Sequence, residues 1–168
     1  MKKLFGLFVA VVISMSSFSQ GKDVVDIAIG SADHTTLVAA VKAADLVGTL
    51  KSAGPFTVFA PTNAAFAKLP AGTVDGLLKP ESKATLTKIL TYHVVSGNLD
   101  AAAVVAAIKG GNGKVVLTTV SGGKLTASMD MGKVKLTDES GNSVHVTTVD
   151  LKGSNGVVHV IDGVVLPK

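Results

Sequence analysis

Four histidines (His34, His93, His145 and His159) and one adjacent carboxylate pair, Asp138-Glu139, are the side chains suited to proton transfer or metal ligation. Their spacing argues against both uses. No two histidines lie two or four residues apart, the separations that put two ligands on one face of a strand or helix. His145 and His159 each sit between apolar neighbours, so the phase of the pleat decides whether either ring meets water. Asp138-Glu139 runs into Ser140-Gly141-Asn142, a turn composition, and two solvated turn acids are expected there rather than an acid–base pair. Gly-x-Ser-x-Gly, His-Glu-x-x-His and a glycine-rich phosphate loop are missing. With no cysteine, the chain has no thiol nucleophile, disulfide, cysteine zinc site or thiol-linked lipid anchor. No catalytic residue, cofactor or metal is assigned, and a binding protein rather than an enzyme is expected.

Charge narrows the partners. The formal charge is +4, and every basic residue is Lys. Arg is the residue that reads phosphate and base edges bidentately, and the lysines are scattered, so no nucleic-acid partner is expected. The first stretch, MKKLFGLFVAVVISMSSFSQ, has a positive start at Lys2-Lys3 and an apolar run from Leu4 to Ile13. Small residues, Ser17 and Ser19, flank Phe18 at a cleavage site. Residues 1–19 are therefore expected to be a signal peptide and 20–168 one exported domain, with no stable membrane span after cleavage.

Stepping along the domain, apolar residues at helical spacing predict helices over Asp23 to Ile29, Thr35 to Ala44 and a short turn from Asp45 to Lys51. FTVFA, Phe56 to Ala60, predicts a buried strand ended by Pro61, followed by a brief helix to Leu69 capped by Thr62 or Asn63. Further helices are predicted from Ser82 to Thr91 and, capped by Asp100, to Ile108. From Lys114 the period becomes two. Strands are predicted over 114–120, 124–129, 133–137, 143–148, 157–161 and 164–166, with Asp162-Gly163 either a tight turn or a bulge. A helical half followed by hairpins argues for an α+β fold.

Three segments carry a family resemblance. Phe56-Thr57-Val58-Phe59-Ala60-Pro61-Thr62-Asn63-Ala64-Ala65-Phe66 and Asn155-Gly156-Val157-Val158-His159-Val160-Ile161-Asp162-Gly163-Val164-Val165-Leu166-Pro167 resemble the two signature blocks of the fasciclin family. Between them, Tyr92-His93-Val94-Val95 is similar to the family's tyrosine–histidine motif. The order fits one complete domain, of the kind found singly in secreted bacterial proteins. The resemblance implies a fasciclin-type β-wedge of two sheets with several helices packed alongside. It also implies a role in cell adhesion or matrix contact, with a surface protein or polysaccharide as partner, and a secreted, periplasmic or surface-associated location.

Within the signature, Phe56, Thr57, Phe59, Pro61, Thr62, Asn63, Phe66, Asn155, Gly156, His159 and Asp162 are expected to be structural, with Asn155 or Gly156 supplying a positive φ. Tyr92 and His93 have two readings. Relatives are thought to engage receptors around this motif, whereas a buried His satisfied by hydrogen bonds, beside a core Tyr, is the simpler one. Asp150-Leu151 stands where some relatives carry an Asp-Ile pair implicated in receptor contact; the plain alternative is a loop acid beside an apolar anchor. An aliphatic, Ala- and Gly-rich composition leaves open an apolar groove. The resemblance, through fasciclin-type proteins that bind carotenoid-like pigments, implies carriage of an apolar small molecule such as a carotenoid as the alternative function.

Overall fold

The structure is a computed structural model and describes residues 21–168; the expected signal peptide lies outside the described residues. Seven helices and seven strands follow in chain order. They are α1 (Val24–Ile29), α2 (Thr35–Ala43), α3 (Val47–Lys51), β1 (Phe56–Pro61), α4 (Asn63–Ala67), α5 (Thr73–Leu77), α6 (Lys83–Tyr92), β2 (Val94–Ser96) and α7 (Ala101–Gly110). Then come β3 (Lys114–Thr118), β4 (Lys124–Asp130), β5 (Lys133–Thr137), β6 (Ser143–Gly153) and β7 (Gly156–Ile161). The class is α+β. Among the described residues no helix is long and apolar enough to cross a membrane.

Local chemistry sets the helix starts. Asp23 and Asp26 form a reciprocal capping box on α1, Thr62 caps α4, and Asp100 accepts from the Ala103 N–H to cap α7. The turn between β4 and β5 is Met131-Gly132, both with positive φ, as a two-residue hairpin of primed type needs.

The strands form one hydrogen-bonded ribbon in the order β2-β1-β7-β6-β5-β4-β3. It has two limbs joined through β6. The first half of β6 pairs with β5, and the second half pairs with β7 across register shifts between Val146 and Leu151. These bulges let one strand turn from one limb into the other. A bridge between Val95 and Thr119, with the Val120 N–H bonded to the Val94 carbonyl at 2.8 Å, brings the ribbon's two edges together.

The two signature blocks meet directly. β1 and β7 run parallel and in register, Phe56 opposite Gly156 through Pro61 opposite Ile161. Both strands are covered on both faces. Val58, Ala60 and Val158 join the core under α1, α2 and α6, while Phe59 and Ile161 join a second core closed by α7 and the β3–β6 limb. The period of two thus divides one strand pair between two apolar interiors.

Three expectations are corrected here. Residues 164–166 are not a strand, and Asp162-Gly163 is neither a hairpin turn nor a bulge within one. Past Ile161 the Asp162 N–H still bonds the His145 carbonyl at 3.1 Å, but the Asp162 carboxylate takes the His145 N–H at 2.8 Å in place of a backbone acceptor, and a side chain at Gly163 would collide with Val144. Neither Asn155 nor Gly156 has positive φ. Glycine is required at 156 for a different reason: a Cβ there would run into the Phe56 backbone across the parallel pair. Asp138 is not a solvated turn acid but is buried, while its neighbour Glu139 is exposed.

Candidate functional site

The signature residues converge on the β1–β7 junction, and their polar atoms are consumed there. Thr57, fully buried, donates its hydroxyl to the Gly97 carbonyl at 2.7 Å and accepts from the Leu99 N–H at 2.9 Å. Asn63 accepts from the Thr36 N–H and donates to the Ala32 carbonyl, fastening the start of α2. Asn155 does the same for two other helices: it accepts from the Val24 N–H of α1 and donates to the Leu50 and Ser52 carbonyls at the end of α3. Each asparagine closes helix ends that lie far away in sequence. Phe66 folds back into the first core, and Pro61 is buried.

Tyr92 and His93 are both buried. The Tyr92 hydroxyl donates to the Lys124 carbonyl at 2.6 Å and accepts from the Glu139 N–H at 3.2 Å, and burial raises its pKa above the ordinary phenol value. Its ring lies against Gly123, where a Cβ would collide. The His93 Nδ1–H donates to the Ile89 carbonyl at 2.8 Å, and Nε2 accepts from the Val165 N–H at 3.3 Å. Both partners are fixed, so the neutral tautomer is specified, and burial pushes the pKa down to about 4.

His159 mirrors this arrangement on the far side of β7. Its Nε2–H donates to the Leu99 carbonyl at 2.6 Å, Nδ1 accepts from the Asp150 N–H at 3.3 Å, and the ring stacks on Phe59 with centroids 5.7 Å apart. His145 faces outward, half-buried, with Nε2 3.1 Å from Asp130. His34 is buried with Nδ1 on the Ser31 hydroxyl. Its Nε2 faces the Ala60 carbonyl without closing a hydrogen bond, and burial lowers its pKa.

Asp150 and Leu151 separate in role. Leu151 packs against the first core. Asp150 is exposed with φ of 59°, and its carboxylate accepts from the Ala101 N–H at 2.8 Å, so it serves as a second cap on α7 beside Asp100. The structure therefore brings Asp150 and His159 together, and places Tyr92 and His93 inside.

Asp138 is a residue that sequence reasoning missed. One oxygen accepts from the Ser140 and Asn142 N–H groups; the other accepts from the Leu166 N–H at 3.0 Å and pins the C-terminal segment. The turn composition signals the first set of bonds, but no local pattern signals the last.

An apolar cavity of about 50 Å³ lies between α1, α2, α3 and β1, with Val25, Leu37, Val41, Leu50 and Val58 in its walls.

The arrangement is a bent ribbon with a parallel junction, two apolar cores and three buried histidines. The fasciclin domain model matches residues 32–167, and the chain belongs to the fasciclin domain family. It is 50% identical over 156 residues to protein sll1483 of Synechocystis sp., covering 93% of this chain and 79% of that one. It is 39% identical over 143 residues to the immunogenic protein MPT70 of Mycobacterium tuberculosis, covering 79% of this chain and 63% of that one. It is also 37% identical over 145 residues to transforming growth factor-beta-induced protein ig-h3 of Sus scrofa, of which it spans 19%. Among solved structures, a FAS1 domain pair from the insect cell adhesion molecule fasciclin I superposes with a TM-score of 0.75 at 18% identity. That likeness is one of fold; it covers 86% of this chain and about half, 51%, of the solved one.

Proposed function

We propose that this protein is an exported, non-catalytic binding module that mediates adhesion or matrix contact at the cell surface, through a protein or polysaccharide partner. The observation that carries the reading is that the polar side chains of the signature blocks are spent inside the scaffold. Thr57, Asn63, Asn155 and His159 hold strands and helix ends, which leaves the outer loops and sheet faces to meet a partner. Family membership supports it, since a fold relative is a cell adhesion molecule, although fold alone does not fix function. Deleting the gene in its native host and restoring it tests the reading. Attachment and biofilm are expected to fall and recover; unchanged attachment refutes adhesion.

The apolar cavity favours a second reading, carriage of an apolar small molecule such as a carotenoid. At about 50 Å³ it is well short of the ~300–1,000 Å³ of ordinary ligand sites, so α1 to α3 would have to move apart to admit one. A pigment extracted from protein purified out of its native host supports carriage. Protein that stays colourless and takes up no added carotenoid excludes it.

A further inference from the structure

Charge is distributed unevenly over the fold. Residues 21–100 carry seven lysines and seven carboxylates. From Ala101 to Thr137 there are five lysines and a single carboxylate, Asp130. The pleat gathers four of those five on one surface. Lys114, Ser128, Lys135 and His145 form one cross-strand row, and Val116, Thr126, Thr137 and Ser143 form the next. Thr118 opposite Lys124 and Lys133 opposite Asp130 complete the two ends.

The alternate residues, such as Leu125, Ala127 and Leu136, fill the second core with Val104 and Ile108 of α7, so these rows face away from it. Lys114, Lys124 and Lys133 are exposed and make no ion pair among the described residues; Lys135 shares Asp130 with His145. Glu139, at the rim, bonds the Lys124 N–H and offsets part of that charge. The helical half contrasts: Lys51 bridges Asp23 and Asp26, and Lys83 reaches Asp45.

We infer that this outward face of β3 to β6 is a docking surface for a polysaccharide bearing regularly spaced anionic groups. The inference rests on the binding-module reading above and names its partner class. Strands stand about 4.8 Å apart and same-face residues recur about every 6.8 Å along each one, so the cations form a flat grid rather than a pocket. Hydroxyls of Thr118, Thr126, Ser128 and Thr137 lie between them and offer hydrogen bonds to sugar oxygens. The face has no Arg and no Phe, Tyr or Trp to read or stack a base, and its one imidazole, His145, is engaged by Asp130, which favours a sugar polymer over a nucleic acid. Within these rows Val116 is the exposed large apolar side chain, and Met131 in the β4–β5 turn and Val120 past the end of β3 stand apart from it, so the face lacks the clustered apolar anchor of a protein interface.

The test uses two triple variants that remove the same charge: Lys114→Gln, Lys124→Gln and Lys133→Gln on the face, and Lys22→Gln, Lys42→Gln and Lys79→Gln on the helical half. All six side chains are exposed, and both proteins are expected to melt with the parent. Binding to immobilised polygalacturonate, dextran sulfate, unmodified dextran, duplex DNA and anionic phospholipid vesicles is measured at low and raised ionic strength. The inference expects salt-sensitive binding to the two anionic polysaccharides, little to dextran, and a loss of about tenfold or more confined to the face variant. Equal loss in both variants, no loss in either, equal binding to neutral dextran, or stronger binding to DNA or vesicles overturns it. Complementing the deletion strain separates this from the parent reading. If wild-type protein restores attachment and the face variant restores it equally, only the face assignment fails. If deletion leaves attachment unchanged, the adhesion reading fails.

Discussion

The β1–β7 junction and the β3–β5 limb are built from the same strand geometry but are specified in different ways. In the junction, buried polar side chains tie segments far apart in the chain. Thr57 reaches Gly97, His159 reaches Leu99, His93 reaches Val165 and Asn155 reaches Val24. In the limb, successive strands pair with their sequence neighbours, the interior is aliphatic, and the outward residues alternate cleanly. A parallel pair of distant strands has no hairpin to set its register. A network in which each member is satisfied by a remote partner supplies that specification, at the risk that losing one member strands the others. The limb draws its register from tight turns and from the period of two.

Two glycines make the sharpest contrast. Gly156→Ala puts a methyl into the Phe56 backbone, which is held in the parallel ladder and has no side chain to yield. Loss of about 4 kcal/mol or more is expected in urea unfolding, together with a less cooperative transition. Gly132→Ala, in the limb's hairpin turn at φ of 80°, meets open space and carries only the strain of a left-handed alanine, about 1–2 kcal/mol. Equal costs would remove the distinction between the two regions.

Next in size is His93→Ala, which opens a cavity and strands the Val165 N–H and the Ile89 carbonyl. About 3–4 kcal/mol is expected, measured by chemical denaturation. If the variant melts like the parent and loses attachment, His93 acts on a partner and not on the fold.

The same ring gives a pH signature. Its folded pKa, about 4, lies below the ordinary value of 6.5, so the unfolded chain binds the proton more readily across that window. Its contribution to stability is complete above pH 6.5 and is lost as pH falls towards 4, by about 3 kcal/mol in all. His34, lowered by burial, adds loss in the same direction. The lowered carboxylates Asp26 and Asp130 act in that sense too, but below the ordinary value of 3.8. Unfolding free energy measured against pH should therefore fall between 6.5 and 4 in the parent and fall less in His93→Gln. Parallel curves would mean that the ring is not the source.

This division also explains what was legible beforehand. In the limb, the strands over 124–129 and 133–137 and the turns between them were readable because alternation and turn residues are local signals. The helix starts at Asp23 and Asp100 were readable for the same reason. The motifs pointed to the junction, but its parallel pairing, the collision that demands Gly156, and Asp138's hold on Leu166 depend on residues brought together only by the completed fold. α5 was not predicted: it starts after Gly72 with no side-chain cap, and one turn from Thr73 to Leu77 has too few residues to show a period. The 164–166 segment reads as a strand because it is apolar, yet it is held by His93 and Asp138 in place of a neighbouring strand.

The smallest effect bears most directly on partner contact. Asp150 stands at the edge of the junction, exposed, with its backbone N–H on His159 and its carboxylate on the Ala101 N–H. Asp150→Ala loses that cap and leaves an alanine at positive φ, for about 1–2 kcal/mol. Asp150→Asn keeps an acceptor oxygen and a side chain that tolerates the left-handed region, and should stay within about 0.5 kcal/mol of the parent. The pair separates scaffold from contact because only the charge differs appreciably in the asparagine variant. If Asp150→Asn melts with the parent and attaches with it, the carboxylate's task is to hold α7 against β6. If it melts with the parent but attachment drops, the negative charge itself meets the partner, and the edge of the junction becomes a contact surface in its own right.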